Sequence, residues 1–158
     1  MRRAFIISVI LIVFTPLLSF ADSQATPPLF KGQKVYVPAY SHIYAGNREM
    51  QILLTVTLSI RNTDPKYPMT ITAVDYYGTK GEPLSKLLNK PIILGPLEST
   101  HYIIPRDDKS GGSGANFLVE WSSEKPINQP IVESVMIGAE GQQGISFTSR
   151  GQAITISD

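Results

Sequence analysis

A chain of 158 residues has room for one domain, and 42% hydrophobic against 17% charged residues excludes a disordered composition. No cysteine is present, which excludes disulfides and lipid attachment at a cleaved lipobox. The formal net charge is +1. Without Arg2 and Arg3, which lie in a segment expected to be removed, 12 basic residues face 13 acidic ones, for a charge of about −1. That balance argues against a general nucleic-acid or anionic-membrane binder, which needs a basic surface to displace counterions.

Residues 1–21 read as a secretory signal peptide. Arg2 and Arg3 form the charged start, Ala4 to Phe14 the apolar run, and Ser19-Phe20-Ala21 a small-x-small cleavage site before Asp22. A membrane anchor is the competing reading, but the apolar run is short and carries Pro16. Residues 22–32 are polar and Pro-containing, as expected of a flexible leader. The remainder, 33–158, is expected to be a single β-sandwich domain. An exported chain without cysteine suits a bacterial periplasm or exterior.

In chain order, Gln33 to Tyr40 predicts a first strand, which ends or reaches a sheet edge at Pro38. Ser41 to Arg48 reads as a connection, with Ala45-Gly46-Asn47 as the turn signal. Gln51 to Asn62 carries the strongest pattern in the sequence. Ile52, Leu54, Val56, Leu58 and Ile60 alternate with Gln51, Thr55, Thr57, Ser59 and Arg61, and only Leu53 departs from it. Period-two alternation with β-branched residues is the mark of a half-buried strand, whereas a helix would scatter those five apolar residues around its circumference. Asn62-Thr63-Asp64-Pro65 then turns the chain, because Asn and Asp side chains bond the local backbone and Pro sets φ.

Met69 to Tyr77 predicts the next strand. Its buried face is ambiguous: Met69, Ile71 and Ala73 favour one face at one end, Val74 and Tyr76 the other face at the other, and a bulge would reconcile them. Glu82 to Lys90 is expected to be extended rather than helical, since Pro83 and Pro91 flank it. Ile92 to Leu94 and Ser99 to Ile104 predict two short strands. Arg106 to Gly114 is the most polar stretch. Ala115 to Ser122 alternates again, with Ala115, Phe117, Val119 and Trp121 inward. Ile131 to Gly138 predicts a strand with Ile131, Val135 and Ile137 sharing a face. Ile145 to Ser149 and Ala153 to Ile156 close the chain. About nine strands with turn signals every 8–12 residues predict an all-β, antiparallel two-layer sandwich of immunoglobulin-like type, with a small β-barrel as the alternative.

Several stretches together resemble a family of small exported bacterial proteins classed as a domain of unknown function. They are Val35 to Tyr44, Leu58 to Asp64, Ile71 to Tyr77, Leu94 to Ser99, Gly111 to Trp121, Pro130 to Gly138 and Gly141 to Gly151. The resemblance covers the chain after Gly32 and implies an exported single-domain protein. It implies no reaction, cofactor or catalytic residue. Some members of such families carry a lipobox cysteine; its absence here implies a chain that is soluble once cleaved.

Chemistry-bearing residues are few. Ser113 in Gly111 to Gly114 lacks the helix that a nucleophile elbow or phosphate loop requires. His42 and His101 have no partner at zinc-ligand spacing, and Asp107-Asp108 lacks a calcium-loop pattern. No catalytic residue, metal ligand or cofactor is therefore assigned. A glycosidase pair would have to come from Asp75, Glu120 or Glu133, and strand acids usually face solvent. Among the aromatics, Tyr36, Tyr40, Tyr44, Tyr76, Tyr77 and Tyr102, Trp121 is expected in the core. Tyr40, His42, Tyr44, Arg61, His101 and Arg150 are the candidate binding residues, with Asp64 or Asp75 as ion-pair partners for the two arginines. The expected function is a non-enzymatic binding module of the periplasm or cell envelope whose partner is a protein or an envelope component, with no nucleic acid and no membrane association after cleavage. The competing reading is a hydrolase or metal-dependent enzyme using His42, His101 and nearby acids. It requires the two histidines to meet.

Overall fold

The computed structural model describes residues 27–46, 50–140 and 143–155. The expected signal peptide and the leader as far as residue 26 lie outside these residues, as do Asn47 in the first turn signal and Gly141-Gln142 near the chain's last turn.

Among the described residues, twelve strands form two antiparallel layers and a small hairpin. One sheet has the order β12-β1-β9-β5-β6, with β7 also paired to β5. Its members are β1 (Phe30–Pro38), β5 (Met69–Tyr77), β6 (Pro83–Lys86), β7 (Ile92–Leu94), β9 (Asn116–Ile127) and β12 (Gln152–Ile154). The other sheet has the order β11-β10-β4-β8 and consists of β4 (Thr55–Arg61), β8 (Ser99–Ile104), β10 (Ile131–Glu140) and β11 (Gln143–Arg150). The hairpin joins β2 (His42–Ala45) to β3 (Met50–Leu53). Both main sheets keep open edges, so the architecture is a sandwich rather than a closed barrel.

The core is the inward set of both sheets. Ile52, Leu54, Val56, Leu58 and Ile60 are all buried, from 0% to 5% exposed. The single strand expected over this stretch is divided at Leu54, whose N–H donates to the Ser41 carbonyl at the next position of the β2–β3 register, while Thr55 begins the pairing with β10. The alternation stays in phase across the break, so the buried face is unchanged. Opposite it lie Val35, Val37, Val74, Tyr76, Phe117, Val119 and Trp121. A β-bulge between Ile71 and Ala73, where β5 meets β9, resolves the two-faced pattern of that strand: Met69 and Ile71 point inward before it, Val74 and Tyr76 after it.

Two expectations are corrected. β1 begins at Phe30, inside the stretch expected to be leader, because Phe30 pairs with Ile127 and packs against the core. Ser41 to Arg48 is not only a connection, since His42–Ala45 pairs with Met50–Leu53. On β10 Ile131, Val135 and Ile137 share a face as expected, and it is the outer one; the inward residues are Val132, Ser134, Met136 and Gly138. The small inward residues have specific reasons. Ser134 bonds the Pro38 carbonyl of the other sheet, and a Cβ at Gly138 would lie 2.9 Å from the Leu53 carbonyl oxygen.

A buried polar hub joins three loops at one end of the sandwich. The Asn62 carboxamide donates to the carbonyls of Tyr67, Leu94 and Gly95, and its Oδ1 accepts from the Asp64 N–H. Asp64 Oδ1 accepts from the N–H groups of Lys66 and Tyr67, and Oδ2 accepts from the backbone and side chain of Asn128. Burial raises the Asp64 pKa, but those donors outweigh it and hold the carboxyl below its ordinary value of 3.8. The turn residues at the end of β4 thus fasten the β4–β5 loop to the β7–β8 turn and to the β9–β10 connection.

Candidate functional site

The outer face of the four-stranded sheet brings together three of the six expected site residues. Its register aligns His101 on β8 with Ser59 on β4, Ser59 with Glu133 on β10, and Glu133 with Arg150 on β11. Alternation places all four on the outer face, because Tyr102, Leu58 and Ser149 share the inward phase; Ser59, between its neighbours, is only 8% exposed. Arg61, two residues beyond Ser59 on the same face, puts Nε 3.8 Å from Glu133 Oε1. Among the described residues Asp64 forms no ion pair, and backbone and amide N–H groups fill its oxygens. The expected Arg61–Asp64 pair is therefore replaced by Arg61–Glu133. Both partners are well solvated, so the pair is worth only about 0–1 kcal/mol.

Beside this polar rung runs an apolar one. Ile103 on β8, Thr57 on β4, Val135 on β10 and Thr148 on β11 are in register, and Ile137 follows opposite Thr55. Ile103 and Ile137 are each 54% exposed. β8 pairs with β4 alone and forms the sheet's edge. Its six residues contain His101 but no Lys, Glu or Pro, the devices that usually blunt an edge.

The remaining expected site residues lie elsewhere. Tyr40 is half-buried and packs edge-on against Phe147, with ring centroids 5.7 Å apart, so it belongs to the core margin. His42 is 7% exposed; its Nε2 shares a hydrogen bond with the Tyr44 hydroxyl, while Nδ1 is buried with no hydrogen-bond partner. His42 stands opposite Leu53 and His101 opposite Ser59, six strand positions apart. At about 3.3 Å per residue that is on the order of 20 Å, so the two histidines share no site. Among the described residues no three His, Cys, Asp or Glu side chains cluster as metal ligands would.

The other chemical candidates are structural where they stand. Gly111 to Gly114 is closed by Thr79, whose Oγ1 donates to the Gly111 carbonyl and accepts from the Gly114 N–H. Ser41 and Tyr76 share a buried hydrogen bond of 3.0 Å below this loop. Glu120 pairs with Lys34 at 2.5 Å on the outer face of the six-stranded sheet, where Asp75 also points, with the whole sandwich between them and Glu133. Glu133 and Ser59 complete the rung but were not among the expected binding residues. Their places follow from strand register, which no local pattern specifies.

A cleft of about 390 Å³ lies around the corner from the rung. It forms where the chain passes between the sheets twice, once at Asn128 to Pro130 and once at Gly151. Arg150 lines it together with Gln129, Gln152 and the apolar Val35, Pro130 and Val132.

The fold and surface thus define a small all-β, two-layer sandwich. Residues 32–154 match the family described as "Protein of unknown function (DUF3124)", and the chain belongs to that family. No curated protein matches the chain. A solved structure titled "Crystal Structure of Thermotoga maritima 1070" is similar at 15% sequence identity and a TM-score of 0.42, covering 76% of this chain and 92% of that one.

Proposed function

We propose that this protein is an exported, non-enzymatic binding module that recognises an extended segment of a partner protein along the β8 edge. The observation that carries this reading is the unblunted β8 edge beside an uncovered outer face. An added strand would complete the backbone hydrogen bonds of β8 and set its own outward side chains next to His101 and Ile103. The face offers apolar surface at Ile103, Val135 and Ile137. Two arginines and one glutamate flank that surface, which favours a partner segment that alternates apolar with acidic residues. The charged start, apolar run and small-x-small site of residues 1–21 support export to a bacterial periplasm or exterior.

Two measurements test the reading. Mass spectrometry of the protein from a periplasmic fraction should give an N-terminus near Asp22; recovery only as the intact chain in the membrane fraction refutes export. Affinity capture from the same fraction should yield a partner that protects Ser99–Ile104 from hydrogen exchange. Ile103→Lys should release it, and Tyr36→Ser, on the opposite sheet, should not. Protection that maps elsewhere, or a partner equally retained by Ile103→Lys, refutes the edge.

A further inference from the structure

The cleft beside Arg150 lies away from the β8 edge and has a different chemistry. Its shape follows from two tight crossings. The Gly151 N–H donates to the Val132 carbonyl at 2.8 Å, which pins the passage from β11 to β12 against β10. A Cβ at Gly151 would lie 2.7 Å from Val35 Cγ1 and 2.9 Å from the Val132 carbonyl oxygen, so the floor has no room for a side chain there. Opposite, the Thr63 hydroxyl donates to the Gln129 carbonyl and fixes the second crossing. The walls are therefore built into the fold.

The polar groups at the mouth are unspent. Glu133 stands directly across from Arg150, yet its carboxylate lies toward Arg61, and Arg150 makes no ion pair among the described residues. Gln129 and Gln152 line the same opening. Val35 and Val132, each 3% exposed, close its floor, and the half-buried Ile131 and Ala153 offer it apolar surface. A guanidinium presents a planar fork of N–H donors that matches a carboxylate, and two carboxamides add neutral donors and acceptors around it. The volume lies in the range of small-molecule sites.

We propose that this cleft binds a small organic carboxylate, its acid group on Arg150 and its short apolar body against Ile131 and Ala153. A carboxylate fits better than a phosphate, because the cleft offers one cation with Glu133 nearby, and a second negative charge would meet repulsion there.

The test is titration of the mature protein with butyrate, butyramide and inorganic phosphate, followed by amide chemical shifts. Butyrate should bind saturably and move the signals of Gly151, Gln152 and Ala153. Butyramide and phosphate should bind at least about tenfold more weakly, and Arg150→Gln should weaken butyrate by a similar factor with the melting temperature unchanged. Arg150→Lys, which keeps the charge but loses the fork, should fall between the two. The proposal is overturned by equal binding of butyramide, by tighter binding of phosphate, by an Arg150→Gln variant that binds butyrate as the parent does, or by an absence of saturation at Gly151 to Ala153.

Discussion

The Ser134 hydroxyl on β10 donates to the Pro38 carbonyl on β1 at 2.5 Å, a hydrogen bond that crosses the interior from one sheet to the other. It explains how a serine comes to be fully buried in a row with Val132 and Met136. Removing the hydroxyl leaves a carbonyl without its donor in a dry environment, which costs about 1–3 kcal/mol. Ser134→Ala should lower urea stability by that amount, and Ser134→Val by no less. A variant as stable as the parent would show that Pro38 finds another donor.

The same residue shows where sequence pattern misleads. Burial on β10 follows cross-sheet fit, not apolar count: its outward face carries Ile131, Val135 and Ile137, and its inward face carries a serine and a glycine. Apolar count alone does not say which face is buried, because the hydrogen bond and the close approach of Leu53 that admit Ser134 and Gly138 involve residues about 80 to 100 positions away. The stretch from Ile52 to Ile60 was legible because one side of its alternation is uniformly aliphatic. The β5 bulge was legible as a conflict within Met69 to Tyr77, though its position was not. For the site, Arg61 and His101 were recognisable as strand residues and Arg150 as part of the link between the last two strands, but their alignment with Ser59 and Glu133 depends on register across four strands. The β2–β3 hairpin was missed because His42 to Ala45 is only four residues long and ends at Gly46.

Asp64 gives a pH-dependent prediction. Its folded pKa lies below the ordinary value, so the ionised form is favoured by the folded state. The stabilisation is complete above the unfolded pKa of about 3.9 and is lost as pH falls through the lower folded value. Asp64→Asn turns one acceptor into a donor that faces N–H groups, and should cost about 1–3 kcal/mol at neutral pH. The gap between parent and variant, followed by denaturant melts, should hold steady from about pH 8 to 5 and narrow below about pH 4. A gap that widens on acidification would contradict the assigned network.

Gly151 is required by space, not by a left-handed backbone. A methyl group there meets Val35 Cγ1 and the Val132 carbonyl oxygen, and the carbonyl cannot move without breaking its bond from the Gly151 N–H. Gly151→Ala should destabilise by about 1–3 kcal/mol through overpacking. Gly144→Ala, with nothing within 4 Å of the added carbon, is the control and should melt near the parent. Equal stability of the two variants would mean that the crossing at Gly151 is looser than its contacts indicate.

Neighbouring residues of β4 offer the sharpest contrast in the fold. Val56 is 0% exposed and points between the sheets, while Thr57 points to the outer face between Ile103 and Val135. Val56→Asp places a carboxylate among aliphatic side chains with no cation or donor, a cost of several kcal/mol that a domain of this size does not survive. Thr57→Asp keeps its charge in water and should shift stability by about 1 kcal/mol or less. Thermal melts of both variants should therefore give one unfolded and one folded protein. Because Thr57 lies in the apolar band, the folded variant also probes the proposed surface: an acid at that position should repel the acidic partner segment proposed for the β8 edge while leaving the fold intact. Retention of the captured partner by a folded Thr57→Asp protein would move recognition off this face.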